Sequence, residues 1–185
     1  MKRALITGIT GQDGSYLTEL LLTKGYRVYG LTRSTDPTNT TRLRHLLPTN
    51  RLAPRRLHLV RDDLASTGRL RALIEQIQPD EIYHLAAPGL IGPNGSRPQP
   101  GGEMAALDTL HLLEALRLSG LPAKFFHAAS AEIFGAAPPP QAETTLFAPR
   151  SPYALAKGYA ARLTRTYRRR YGLFAVNGIL FNHES

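Results

Sequence analysis

A glycine-rich turn near the N-terminus constrains the fold of this chain more than any other segment. Gly8, Gly11 and Gly14 follow the apolar segment 4–7 directly and open a helical pattern. In such a turn the first glycine permits a tight bend, the second lets the backbone approach a pyrophosphate, and the third allows close packing of helix on strand. The helix N-terminus then favours the negative charge. The turn therefore predicts a strand–turn–helix unit that binds a dinucleotide.

Apolar and helical segments alternate along the rest of the chain. We expect strands over 4–7, 27–31, 57–60, 81–85, 124–128 and 174–180, and helices over 11–24, 66–76, 103–118 and 151–171. Such alternation is typical of parallel strand pairing. Segments 88–102 and 136–149 are rich in proline or glycine and are predicted to be loops. We expect one α/β domain over 1–185, a doubly wound parallel Rossmann sheet with helices on both faces.

Composition excludes several classes of protein. The chain has 185 residues, no cysteine, and 42% hydrophobic and 20% charged residues. Without cysteine there are no disulfides, thiolate metal sites or cysteine nucleophiles, and no metal site is expected. No apolar run approaches the roughly 18 residues of a membrane span, and the N-terminus does not resemble a signal peptide. We therefore expect a cytoplasmic protein with no membrane partner.

The net charge of +9 admits two interpretations. Arginines cluster over 42–61 and 162–170, as on a nucleic-acid-binding surface. A solvated basic surface that attracts a phosphate-bearing small molecule explains the same charge. The sequence contains no zinc-finger spacing, RNA-binding aromatic motif or basic heptad, so no nucleic-acid partner is expected.

The end of the second strand bears on the choice between NAD and NADP. An acidic residue there binds the ribose 2′-hydroxyl, whereas a basic residue accommodates a 2′-phosphate. The segment reads Leu31-Thr32-Arg33-Ser34, and no acidic residue occurs before Asp36. Arg33 and Ser34 therefore predict NADP, the alternative being that Arg33 is a solvated surface arginine.

Two pairs of residues predict a proton-transfer site beside the fifth strand. Tyr153 and Lys157 stand four apart on one helix and share a face. An ammonium beside a tyrosine stabilises its phenolate, which can then take the proton of a sugar hydroxyl. Ser130 and Glu132, two apart in extended chain, should point the same way at the strand tip. There a hydroxyl can hold a substrate oxygen and a carboxylate can remove a carbon-bound proton; the alternative for Glu132 is an exposed loop acid.

Three stretches carry a resemblance to a known family. They are 8–17 (GITGQDGSYL), 149–153 (PRSPY) and 174–185 (FAVNGILFNHES). The chain resembles the extended short-chain dehydrogenase/reductases and, among them, is similar to the GDP-mannose 4,6-dehydratases over residues 4–185. The resemblance implies a nucleotide-sugar lyase that uses NADP, converts GDP-mannose to GDP-4-dehydro-6-deoxymannose and forms homo-oligomers.

The same resemblance assigns roles to individual residues. It implies that Tyr153, paired with Lys157, takes the proton of the 4-hydroxyl as hydride passes to NADP, and that Ser130 assists at the 4-oxygen. Glu132 would abstract the C5 hydrogen and help water to leave from C6. The implied cofactor contacts are Gly8, Ile9, Thr10, Gly11, Gln12, Asp13, Arg33, Asp63, Leu64, Leu85, Ala86, Ala87, Tyr153, Lys157 and His183. For His183 the alternative is a structural histidine at a strand end.

The chain departs from the family pattern at several positions. Ser34 replaces a second arginine, Pro100 stands at the position of a tyrosine, and Asp108-Thr109 stands where the family usually has Gly-Thr. Because the sequence stops at 185, we expect the C-terminal substrate domain to be absent and turnover by this chain to be absent or very low. Three functions stay open: a 4,6-dehydratase or its cofactor domain, an NDP-sugar epimerase or reductase, which needs no carbon base, and an inactive module that holds NADP or nothing.

Overall fold

The strands and helices were located in a computed structural model that describes residues 1–33, 39–46, 56–86 and 101–183, of which 101–105 by backbone only. The strands are β1 (Arg3–Thr7), β2 (Arg27–Thr32), β3 (Leu57–Arg61), β4 (Glu81–His84), β5 (Lys124–Ser130) and β6 (Ala175–Leu180). The helices are α1 (Gln12–Thr23), α2 (Thr67–Ile77), α3 (Gly101–Ser119) and α4 (Pro152–Tyr171). Short 3-10 helices span Thr41–Leu43 and Ala131–Phe134.

The six strands form one parallel sheet in the order β3-β2-β1-β4-β5-β6. This order confirms the doubly wound sheet that the sequence predicts. The chain starts at β1, winds outward to β3 and then returns to β4 on the other side of β1. Ligands of such sheets bind where the strand order reverses, at the carboxyl ends of the strands. The glycine-rich turn leaves β1 at this point.

Alternate residues of β1 face opposite sides of the sheet, and helices cover both sides. Leu5 packs in a buried cluster with apolar residues of α2, α3 and α4. Ala4 and Ile6 pack in a second cluster with Leu21 of α1 and with Leu43. Because both faces of β1 are covered, its residues are apolar without alternation, which is typical of a central parallel strand.

Every predicted strand and helix is present, with boundaries that differ by no more than two residues. Segment 136–149 contains no helix or strand, in agreement with the predicted loop. Residues 88–100 of the other predicted loop lie outside the described residues, and α3 begins at Gly101. The two 3-10 helices were not expected, because single turns of helix give no periodic signal in a sequence.

The start of α4 is fixed by local contacts. The Ser151 hydroxyl accepts a hydrogen bond of 3.1 Å from the backbone N–H of Ala154, and Pro152 occupies the first helical position. Both features stabilise a helix N-terminus. Because the start is fixed, Tyr153 and Lys157 lie in the first two turns of α4, at the carboxyl end of β5.

Candidate functional site

A groove follows the carboxyl edge of the sheet and consists of two cavities that meet at the glycine-rich turn. The β2 cavity, of about 480 Å³, is lined by Thr7, Gly8, Thr10, Gly11, Leu31, Thr32, Arg33, Asn39, Asp62, Asp63, Leu64, Leu85, Ala86 and Asp108. The β6 cavity, of about 410 Å³, is lined by Gly8, Gly11, Gln12, Asp13, Gly14, Leu85, Ala128, Ala129, Ser130, Tyr153, Lys157, Leu180, Phe181, Asn182 and His183. A groove whose two halves share Gly8, Gly11 and Leu85 fits a ligand of two nucleoside units joined by a pyrophosphate.

The glycines at the centre of the groove leave room that other residues would fill. Gly8 has a φ of +72°, and a Cβ atom there would lie 2.7 Å from the backbone nitrogen of Ala86. A Cβ atom on Gly14 would collide with the Gly8 carbonyl oxygen and lie 2.7 Å from the Cα of Ile9. A Cβ atom on Gly11 would project into the groove, with only the Gly8 oxygen nearby, at 3.2 Å. The backbone at Gly11 is therefore open to a pyrophosphate, and the turn fits a dinucleotide.

Leu64 is held in an unusual backbone conformation at the floor of the β2 cavity. Its φ of 61° lies in the left-handed region, which branched and bulky residues rarely adopt. The Asp62 carboxylate accepts a hydrogen bond of 2.8 Å from its N–H, and His111 Nδ1 donates one of 2.9 Å to its carbonyl oxygen. These two contacts fix the loop after β3. Asp62 and His111 were not predicted as site residues, because their role depends on this loop geometry.

Asp63 and Arg33 both line the β2 cavity. The Asp63 carboxylate accepts hydrogen bonds from the N–H of Ala65 and from the Arg69 guanidinium. The N–H of Ala65 and the charge of Arg69 lower the pKa of Asp63, so the carboxylate is charged at neutral pH. Arg33 is exposed and lines the cavity at the end of β2.

Lys157 is almost completely buried beneath the β6 cavity. Its side chain is 4% exposed, and Nζ donates a hydrogen bond of 2.8 Å to the carbonyl oxygen of Ala128. Burial lowers the pKa of Lys157 to about 8. Nζ lies 5.9 Å from the centre of the Tyr153 ring, which confirms that the two side chains share a face of α4.

The pKa of Tyr153 is raised, whereas the sequence suggested that Lys157 would stabilise its phenolate. Burial is the main cause, the hydrogen bond with Ser130 acts in the opposite direction, and the charge of Glu132 raises the pKa further. The Lys157 ammonium is directed to a strand carbonyl, so it does not offset the burial of the phenol. In this state Tyr153 is a neutral hydroxyl at pH 7.

Glu132 lies on a 3-10 helix, so the expectation of extended chain from Ser130 to Glu132 was wrong. Ser130 is the last residue of β5, and its hydroxyl accepts a hydrogen bond of 3.3 Å from the N–H of Glu132. This cap turns the chain before Glu132. The two side chains nevertheless line a shared outer cavity of about 560 Å³, formed by Ser130, Ala131, Glu132, Gly135, Arg150, Ser151, Ala154, Phe181 and Asn182. Ser130 also lines the β6 cavity and therefore stands at the junction between the two.

His183 bridges the two sides of the β6 cavity. Its Nε2 donates to the Asp13 carboxylate at 3.1 Å, and its Nδ1 donates to the carbonyl oxygen of Phe181 at 2.8 Å. Because both ring nitrogens face acceptors, these contacts raise the pKa of His183. The sequence predicted both residues at the cofactor, and the structure brings them into contact over 170 positions of chain.

A row of polar side chains crosses the sheet beneath the groove. Thr7, His84, His127 and Asn177 are register partners on β1, β4, β5 and β6. His84 Nδ1 lies 2.7 Å from the Thr7 hydroxyl, and His127 Nδ1 lies 2.9 Å from the amide oxygen of Asn177. Burial lowers the pKa of His127 to about 4 and that of His84 well below its usual value, so both rings are neutral. The sequence did not indicate this row, which only the strand register creates.

Comparison with known proteins identifies the family. A family model described as GDP-mannose 4,6 dehydratase matches residues 5–185. The chain belongs to this family. It is 48% identical to the GDP-mannose 4,6-dehydratase of Yersinia enterocolitica and 51% identical to GDP-mannose 4,6 dehydratase 2 of Arabidopsis thaliana, over all of its own length. It spans about half the length of these curated relatives, 50% and 51% respectively.

A solved structure of a sugar-nucleotide epimerase has a similar fold over nearly all of this chain. The UDP-glucuronic acid 4-epimerase of Bacillus cereus, in complex with UDP-glucuronic acid and NAD, superposes with a TM-score of 0.75 at 29% identity. The match covers 97% of this chain and 55% of the epimerase.

The positions predicted from the resemblance divide between the cavities. Thr10, Arg33, Asp63, Leu64 and Ala86 line the β2 cavity; Gln12, Asp13, Ser130, Tyr153, Lys157 and His183 line the β6 cavity; and Gly8, Gly11 and Leu85 line both. The Ile9 side chain is fully buried in the core, so only its backbone faces the turn. Ala87 lies outside the described residues. Asp108 and Asn182 line the groove as well, although they were not predicted as site residues.

The described residues form neither a metal site nor a membrane span. In the ranges given above, there is no group of three or more His, Asp or Glu side chains arranged to hold a metal ion. Within the same part of the chain, no helix combines the length and the apolarity that crossing a membrane requires.

Proposed function

We propose that this chain is the cofactor-binding and proton-transferring domain of an NADP-dependent GDP-mannose 4,6-dehydratase. One observation carries the proposal: Ser130, Tyr153 and Lys157 line a cavity that joins the glycine-rich turn, and Ser130 shares the adjoining cavity with Glu132. A bound nicotinamide dinucleotide would accept a hydride from the sugar and later return it. The chain itself must then supply one group that takes a hydroxyl proton and another that takes a carbon-bound proton.

Tyr153 and Lys157 are the groups that suit the hydroxyl proton. Tyr153 first gives its phenol proton to water in the β6 cavity, and the resulting phenolate takes the proton of the sugar 4-hydroxyl, while Ser130, hydrogen-bonded to Tyr153, holds the same sugar oxygen. Lys157 is predominantly protonated at pH 7, since its pKa is about 8. Its charge does not outweigh the burial of the phenol, but a positive charge 5.9 Å from the Tyr153 ring favours the phenolate that must be present before the sugar proton is taken.

Glu132 suits the removal of the carbon-bound proton. A ketone at C4 makes the hydrogen at C5 acidic. Glu132 takes that proton and passes it to the C6 hydroxyl, which leaves as water as the C5–C6 double bond forms. The Ser151 hydroxyl lies 3.5 Å from the carboxylate, at the N-terminus of α4. This contact positions the carboxylate at the edge of the outer cavity that it shares with Ser130.

Arg33 supports NADP as the cofactor. It is the basic residue at the end of β2, where a 2′-phosphate lies in proteins of this fold. An exposed guanidinium in the lining of the β2 cavity is free to pair with such a phosphate in two parallel hydrogen bonds.

Glu132→Gln in the whole protein tests the dehydratase assignment. We expect turnover of GDP-mannose to fall about a hundredfold or more, since a general base is lost. In deuterated water the unchanged protein should place solvent deuterium at C5 of a 4-keto-6-deoxy product, and Glu132→Gln should not. Glu143→Gln is the matched control, because Glu143 is an exposed loop acid outside the described lining of all three cavities.

Two results of this experiment would reject the assignment. Undiminished turnover in Glu132→Gln would show that another group removes the C5 proton. A product epimerised at C4 without loss of water or exchange at C5 would identify an epimerase, the class to which the Bacillus cereus protein belongs.

A further inference from the structure

Asp108 is a carboxylate from α3 that lines the same cavity as Arg33. It lies on α3, its side chain is 9% exposed, and it lines the β2 cavity together with Arg33 and Asp63. Burial raises the pKa of Asp108 to about 6, while the charges of His111 and Arg33 lower it and that of Asp63 raises it. The Asp108 carboxylate is therefore mostly ionised at pH 7 and senses the charge of Arg33.

Arg33 and Asp108 carry opposite charges in the lining of the β2 cavity. Among the described lining residues, the carboxylates are Asp62, Asp63 and Asp108, and Arg33 is the cation. Arg69 of α2 offsets the first two, because its guanidinium contacts Asp63 and its Nε lies 3.7 Å from Asp62. The charges of His111 and Arg33 favour the ionised form of Asp108. A 2′-phosphate that approaches Arg33 thus also approaches an ionised carboxylate.

We propose that Asp108 is a specificity-determining residue that limits the preference of this protein for NADP over NAD. The carboxylate repels the doubly charged 2′-phosphate of NADP, whereas the 2′-hydroxyl of NAD carries no charge for it to oppose. The inference rests on the proposed function, since it requires a dinucleotide in this groove with its adenosine in the β2 cavity. Arg33 attracts the phosphate, and Asp108 sets how strong the resulting preference is.

The test is a calorimetric titration of the 185-residue chain with NADP and with NAD at pH 8. The measured quantity is the selectivity, defined as the Kd for NAD divided by the Kd for NADP. Asp108→Asn keeps the shape of the side chain and removes its charge, so we expect the selectivity to rise about fivefold. The control Glu143→Gln removes one negative charge outside the cavities and should leave it unchanged. Asp108→Ser, which also lacks the charge, gives the same comparison if the asparagine variant does not fold.

Repeating the titrations at pH 5.5 provides a second readout. Asp108 becomes mainly protonated there, so the wild type and Asp108→Asn should reach nearly equal selectivity. The 2′-phosphate also gains a proton in this range, but it does so with both proteins, and both proteins contain His111, which lies on α3 with Asp108. Arg33, Asp62, Asp63 and Arg69, which face Asp108 from β2, the loop after β3 and α2, are likewise common to both.

The outcomes separate this inference from the proposed function. If both dinucleotides bind and the selectivity of Asp108→Asn and Asp108→Ser equals that of the wild type, the role of Asp108 is refuted and the proposed function stands. If neither dinucleotide binds the wild type, the proposed function is refuted. This inference is then refuted as well, because it rests on that function. A rise in selectivity at pH 8 that vanishes at pH 5.5 supports the proposal.

Discussion

At the scale of single residues, Lys157 is a site residue whose burial destabilises the fold. Its ammonium is buried against the Ala128 carbonyl, and its folded pKa of about 8 lies below the ordinary 10.5. A lysine with a lowered pKa stabilises the fold only above pH 10.5, and that contribution is lost as the pH falls through 8. At pH 7 the full penalty is present, about 3 kcal/mol from a shift of this size. The hydrogen bond to Ala128 offsets part of it.

Lys157→Met should therefore make the protein more stable and less able to transfer a proton. We expect the free energy of unfolding at pH 7 to increase by about 1–2 kcal/mol, because the buried charge is removed and one hydrogen bond is lost. Urea unfolding followed by circular dichroism measures the change. The control Lys24→Met, at an exposed lysine after α1, should change stability by less than about 0.5 kcal/mol. A clear loss of stability in Lys157→Met would contradict this account of its burial.

At the scale of elements, the glycine-rich turn joins β1 to α1 through backbone contacts that leave no room for side chains. Gly11 N–H donates to the Gly8 carbonyl oxygen at 3.0 Å, and Gly14 packs against Gly8 and Ile9. The side chain of Ile9 points into the core on the other side of the turn. The turn is thus fixed from both sides, and its open face is the one toward the groove.

Gly14→Ala and Gly68→Ala form a matched pair, because both glycines lie in the first turns of helices. The alanine methyl at 14 would collide with the Gly8 carbonyl, so we expect a loss of about 1–3 kcal/mol and weaker dinucleotide binding. At 68 the nearest atom, the Ser66 hydroxyl, is 3.9 Å away, and alanine should stabilise α2 by about 0.5–1 kcal/mol. Thermal melting of both variants measures the difference. Equal effects at the two positions would mean that the turn relaxes freely.

At the scale of the whole molecule, the polar row from Thr7 to Asn177 ties four strands together beneath the groove. Neutral His84 and His127 contribute stability that is present above pH 6.5, their ordinary pKa, and is lost as the pH falls towards the folded value, about 4 for His127. Asp108 acts in the opposite direction, since its raised pKa makes protonation favourable for the fold. The raised pKa of the exposed His183 acts in the same direction as that of Asp108. The two buried histidines outweigh both, so the net effect is a loss of stability in mild acid.

Stability should decrease between pH 7.5 and pH 5, with His127 alone contributing about 2 kcal/mol. His127→Gln keeps a donor for the Asn177 amide oxygen and cannot gain a proton, so we expect a smaller decrease in this variant. Urea midpoints at the two pH values, measured for both proteins, give the comparison. An identical pH dependence would show that the ring of His127 already carries its proton in the folded protein.

Features that depend on near neighbours along the chain could be predicted from the sequence. Helical spacing places Tyr153 and Lys157 on one face, and the glycine spacing after β1 defines the turn, because the geometry of a single helix or turn fixes both. The βαβ order likewise fixes the parallel sheet, since a short crossover allows no other pairing.

Which groups distant in sequence come into contact depends on the tertiary structure. It placed Asp108 in the cavity of Arg33, joined Asp13 to His183, aligned His84 with His127, and turned Glu132 onto a 3-10 helix where extended chain was expected. These contacts depend on strand register and on how each crossover packs. Small shifts in either would change the partners without changing any local pattern, so no spacing in the sequence reveals them.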